Sequence, residues 1–174
     1  MRVTKLITVA LSLVLPTGGC DLSSTPTEPD TRIGADPWSP TAGMVPFKAH
    51  YVAQVVDVQS CSGGAPRFLA EGEGTGTYLG HFTIDLSFCG RGATLDDGEG
   101  TFVAADGDLL RITFHGVSDE AFPVLHFTSF VTFDGGTGRF ENATGTATVQ
   151  GSFDLTTGSG PADWEGEISL PKPH

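Results

Sequence analysis

Cys61 and Cys89 form the first pair of residues here whose chemistry could extend beyond packing. With Cys20 accounted for separately they are an even pair, which in an exported protein most simply closes a disulfide. Closing that loop stabilises the fold by about 3 to 4 kcal/mol in the chain-entropy picture. A redox pair or thiol nucleophile is the alternative, but neither cysteine lies in a C-x-x-C setting or has a histidine close by in sequence. His81, His115 and His126 would bind a metal only if adjacent strands brought two together, and no His-x-His or H-E-x-x-H spacing marks a site. The sequence therefore names no metal ligands and no cofactor. Asp96-Asp-Gly-Glu99 and Asp106-Gly-Asp108 cluster carboxylates as a hard cation requires, without the EF-hand spacing; turns use the same residues for backbone reasons. Gly158-Ser-Gly160 lacks the spacing of a serine nucleophile elbow, and Asn142-Ala-Thr144 matches a glycosylation acceptor. The last candidates are aromatic. Tyr51, Tyr78, Phe82, Phe114, Phe127 and Phe153 either line a cavity for a small apolar ligand or fill a core.

All of these stand on segments that alternate with a period of two. In residues 47–58, Phe47, Ala49, Tyr51, Ala53 and Val55 share one face, against Lys48, His50 and Gln54. Residues 67–71 read as a short second strand, and Gly72-Glu-Gly-Thr-Gly-Thr77 as a flexible or bulged approach to a third, residues 77–88. There Tyr78, Phe82, Ile84, Leu86 and Phe88 oppose Thr77, His81, Thr83, Asp85 and Ser87. Residues 100–105 and 108–115 make a hairpin about Asp106-Gly107, with Leu110, Ile112 and Phe114 inward. Residues 122–133 are apolar on both sides, with Leu125, Phe127, Val131 and Phe133 on one and Val124 and Phe130 on the other, which predicts cover on both faces. Residues 144–155 and 164–170 alternate again.

The stretch Phe133-Asp-Gly-Gly-Thr-Gly-Arg-Phe140 sets the order of the domain. Gly135, Gly136 and Gly138 are expected to supply positive backbone angles for a reversal, and Phe140 an apolar plug for one end of the core. About eight strands follow, with few helical segments. Eight is the number at which an antiparallel sheet closes into a barrel whose interior holds side chains or one small ligand. An all-β, eight-stranded antiparallel barrel is the expected fold; a two-sheet β-sandwich shares the same local pattern.

The chain has 174 residues with 39% apolar, enough for one well-filled core. Residues 1–5 form a basic head and 6–15 an apolar run too short to span a bilayer, so residues 1–19 read as an export signal. Pro16-Thr-Gly-Gly-Cys20 resembles a bacterial lipoprotein processing site, with Cys20 the residue to receive lipid; an ordinary secretory signal cleaved nearby is the other reading. Residues 20–45, rich in Pro, Ser and Thr, read as a disordered tether to a domain at 46–171, with Trp38 docked on the domain or marking a partner site. The formal charge is −12, and −14 once Arg2 and Lys5 leave with the signal. Such a surface repels phosphate backbones and argues against nucleic acid as a partner.

Gly74-Thr-Gly-Thr-Tyr-Leu-Gly-His81, Thr101-Phe-Val-Ala-Ala-Asp-Gly-Asp108 and Gly135-Gly-Thr-Gly-Arg-Phe-Glu-Asn-Ala-Thr-Gly145 together resemble the allene oxide cyclase-like barrels, relatives of the plant dirigent proteins. The resemblance covers about residues 47–170. It implies a calycin-like barrel, often oligomeric, and in the plant cyclases a bound fatty-acid epoxide directed by an acidic residue and an ordered water. Residues 47–55 contain no acid to match that residue, so no catalytic residue carries over. The expected function is a lipid-anchored, extracytoplasmic, non-catalytic binding or interaction module at the cell envelope, with a small apolar molecule as its candidate ligand. The alternatives are a cyclase- or dirigent-type enzyme guiding a reactive apolar intermediate, and a homo-oligomeric envelope assembly protein built on residues 122–133.

Overall fold

The computed structural model describes residues 43–171; the export signal, Cys20, Trp38 and nearly all of the expected tether lie outside the described residues. Eight strands follow one another: β1 (Met44–Ser60), β2 (Pro66–Gly76), β3 (Gly80–Arg91), β4 (Thr94–Val103), β5 (Leu109–Ser118), β6 (Val124–Gly136), β7 (Thr144–Asp154) and β8 (Ser159–Ser169). Each pairs antiparallel with the next, and β8 returns to pair with β1 from Met44↔Ser169 to Gln54↔Ser159, closing the barrel. Closure pairs every edge, which a sandwich would leave open. The alternation seen in the sequence maps directly onto the wall. On β1, Phe47, Ala49, Tyr51 and Ala53 are buried inside while Lys48, His50, Val52 and Gln54 face out.

Several elements depart from the sequence reading. Strand β1 begins at Met44, inside the stretch expected to be tether. Residues 72–76 are not a flexible approach; they continue β2, with Gly72, Gly74 and Gly76 opposite Ala53, Tyr51 and Ala49. A Cβ on Gly74 would overlap the His50 carbonyl and come within 2.8 Å of Tyr51 Cα, so glycine on this inner face lets β1 and β2 close on each other. Tyr78 does not belong to the third strand. It sits in the β2–β3 turn with φ of 64° and is partly exposed, and Leu79 fills the interior instead. Gly135 and Gly138 have positive φ, as the reversal demands, but Gly136 does not; it is a strand residue whose Cβ would overlap the Leu109 carbonyl. The carboxylates of residues 96–99 form no turn: they lie in β4 where its pairing with β5 is bulged between Leu95 and Gly98.

The two ends of the barrel differ. At one end lie the start of β1 and the β2–β3, β4–β5 and β6–β7 connections. Here Phe140, on a single 3₁₀ turn (Gly138–Phe140), is fully buried together with Leu79, Phe47, Phe102, Leu110 and Ile168. Edge-on aromatic pairs knit this layer, with Phe47–Phe133 at 4.8 Å and Phe82–Phe102 at 4.9 Å between centroids. Arg139 fixes the plug from outside, its backbone N–H donating to Asp108 (3.0 Å) and its guanidinium to Asp106 (2.8 Å). Those two carboxylates therefore serve the turn. The end is closed by packing.

Candidate ligand-binding site

At the other end the eight strands enclose an apolar cavity of about 300 Å³. Its floor is Trp164, Tyr51, Ile112, Val131 and Val149, and its walls rise through Ala53, Ala70, Leu86, Phe68, Phe88, Phe114, Phe127 and Phe153 to a rim at Pro66, Thr94, Ser118, Leu125 and Leu155. Trp164 divides the filled half from the hollow half. Its indole packs on Phe102 (5.1 Å) and Phe47 (6.4 Å) on the core side and on Tyr51 (6.1 Å) at the floor.

The cavity stays open because large residues lie against small ones across strands. The Phe114 ring covers Gly98, where a Cβ would come within 2.6 Å of it; Phe127 covers Gly151 at 2.6 Å, and Phe68 covers Gly90 at 2.8 Å. Each ring is thus laid along the wall over a glycine of the neighbouring strand. A second row of small residues, Gly160–Ala53–Gly72, is paired across β8, β1 and β2 and leaves that side of the lumen thin. An apolar enclosed space of this size matches the lower end of small-molecule sites, and is about twice the ~150 Å³ of an engineered apolar cavity that takes up benzene.

Tyr51, Phe114, Phe127 and Phe153 line the cavity. Phe82 does not: it is packed behind the floor against Phe102. Tyr78 lies away from it in the turn at the closed end. Sequence reasoning did not single out Phe68, Phe88, Trp164 or Ser129 as lining residues. Phe88 shares the alternation of Phe82, Ile84 and Leu86, but which end of a strand meets the hollow half depends on register across the barrel.

Polar groups in the lumen are few. Among the described residues Tyr51 is the one titratable group in the lining. Burial pushes its phenol well above the usual value near 10, so it remains a protonated hydrogen-bond donor at physiological pH. Ser129 is the buried polar side chain of the described residues, and it too lines the lumen. The Trp164 indole Nε1–H is buried without a hydrogen-bond partner among the described residues.

Cys61 and Cys89 are joined in a disulfide that ties the β1–β2 loop to the end of β3 beside the rim, with Cα atoms 6.2 Å apart. The histidines are dispersed on the outside. His115 stacks near Phe130 at 5.6 Å, and His126 meets Asp119 at 3.1 Å. Among the described residues no group of three His, Cys, Asp or Glu could hold a metal ion. The outer face of β6 is not covered by any described residue: Phe130 is 52% exposed, and Phe122, in the preceding loop, 79%; the tether, one source of the expected cover, lies outside the described residues. A second depression of about 560 Å³ lies on the outer wall, lined by Glu71, Asp85, Glu99, Asp134 and Arg111 among others. It is larger in volume but is a broad, charged surface groove, and the enclosed lumen is the better candidate. Comparison with protein-family models, with curated proteins and with solved structures returns no match for this chain.

Proposed function

We propose that this chain is a lipid-anchored, extracytoplasmic barrel that binds a small apolar molecule in its lumen without transforming it. The observation that carries the reading is the apolar cavity of about 300 Å³, sealed at one end by Phe140 and Leu79 and open at the other. The apolar run at residues 6–15, the Gly18-Gly19-Cys20 sequence and the Cys61–Cys89 disulfide support export to an oxidising compartment. Binding is favoured over cyclase-type chemistry because an inward carboxylate or imidazole would be needed to steer a reactive intermediate, and the lining offers only the Tyr51 phenol, held protonated by burial. Native mass spectrometry of freshly purified protein, followed by organic extraction, tests it. An apolar compound at one per chain supports the reading; protein that is empty when fresh and takes up no added lipophile defeats it.

Self-association is a second reading, favoured by the exposed Phe130 with Val117 on the neighbouring strand. Sedimentation at micromolar concentration tests it, and a strict monomer rejects it.

A further inference from the structure

Resting on the reading of the lumen as a ligand site, we propose that it selects a neutral lipophile with a hydrogen-bond acceptor at its buried end, a ketone or ester, and discriminates against the matching carboxylate. Among the described residues no Lys, Arg or His lines the cavity, so a carboxylate drawn into it would lose its hydration with no cation to replace it. The net charge of −12 adds no long-range attraction for an anion.

What the floor has is the Tyr51 hydroxyl, a donor on the lumen. Tyr51 is buried, faces inward from β1 and has no hydrogen-bond partner among the described residues; burial alone accounts for its raised pKa. The Trp164 indole, whose ring neighbours that of Tyr51, is a wall for the ligand rather than a donor to it, because its N–H is buried away from the lumen. Ser129 brings a second polar group to the same lumen from β6. An apolar ligand lying over the Tyr51 hydroxyl strips it of water and leaves it unpaired, a cost that an acceptor atom on the ligand relieves and a hydrocarbon does not. The walls above these groups are phenyl rings and aliphatic side chains, which suit the rest of the molecule.

The test uses three probes of equal heavy-atom count and similar shape: 2-acetylnaphthalene, 2-isopropylnaphthalene and 2-naphthoate. Each is titrated by fluorescence into the full chain after organic extraction, and into its Tyr51→Phe variant with the fold checked by circular dichroism. The ketone and the hydrocarbon are expected to bind the native chain, and naphthoate to bind at least tenfold more weakly than the ketone. Tyr51→Phe is expected to weaken the ketone about fivefold to tenfold and to leave the hydrocarbon within about twofold. A second readout needs no variant: the infrared carbonyl band of bound 2-acetylnaphthalene should lie below its position in hydrocarbon solvent. Ketone affinity indifferent to Tyr51→Phe, an unshifted carbonyl band, or naphthoate binding as tightly as the ketone would each overturn the selectivity while leaving an apolar lumen in place. Failure of the ketone and the hydrocarbon alike to bind the native chain would overturn the ligand site itself.

Discussion

Replacing Ala53 by leucine distinguishes a hollow interior from a filled one by the sign of its effect on stability. Ala53 is buried, faces the lumen and pairs with Gly160 on one side and Gly72 on the other, so no side chain larger than its own stands beside it on either neighbouring strand. The substitution adds three carbons. At ~0.8 kcal/mol per buried CH₂ they contribute at most ~2.4 kcal/mol, and fixing the leucine rotamer takes back ~0.5 to 1 kcal/mol, leaving a gain of ~1 to 2 kcal/mol. In a close-packed core the same insertion would cost ~1 to 3 kcal/mol. The assay is urea denaturation followed by circular dichroism on extracted protein, since a retained ligand would stabilise the native chain by mass action and mask the gain. The reasoning is refuted if Ala53→Leu loses 1 kcal/mol or more while binding of an apolar probe is unchanged, because the space beside Ala53 would then be occupied already.

At the closed end the same logic gives the opposite sign. Phe140→Ala should destabilise by ~3 to 5 kcal/mol in urea, since the ring is fully buried in a packed layer; a loss under 1 kcal/mol would mean that Phe140 does not plug the barrel. Gly90→Ala should push the Phe68 ring, 2.8 Å from the new methyl, toward the mouth, weakening naphthalene binding severalfold at nearly unchanged stability; equal binding would show that the ring has room elsewhere. Asp119 accepts backbone hydrogen bonds from His126 and Ala121, and these, the His126 bond foremost, hold its carboxyl below the usual carboxylate range. Its contribution to the ordering of residues 119–126 is therefore present above about pH 4 and lost as pH falls through the lowered folded value. Amide exchange at Ala121 and His126, corrected for intrinsic rates, should lose protection on acidification below pH 4, and protection that persists to pH 2 would contradict this.

Alternation made the wall legible. Phe47, Ala49, Tyr51 and Ala53 could be assigned to one face from spacing alone, and with eight such segments the barrel followed. What misled was glycine. Gly72, Gly74 and Gly76 read as a loop because they carry no side chain to show a face, yet their spacing of two is the strand period itself, and the close approach of β1 requires them. Parity with Phe82 points Tyr78 inward, but the β2–β3 turn interrupts that parity and hands the interior position to Leu79. The hollow half was not legible. Whether Phe114 and Phe127 fill the interior or lie along its wall depends on Gly98 and Gly151 being their cross-strand partners, and register is a property of the closed sheet that no single segment carries.

The central claim is that the open half of the barrel is an apolar site for one small molecule. Fluorescence titration of naphthalene into the extracted full chain tests it most directly. Saturable uptake of one naphthalene per chain, weakened in Ala53→Leu, is the predicted result. Uptake that never saturates, or none at all by protein whose circular dichroism shows intact β structure, would contradict it.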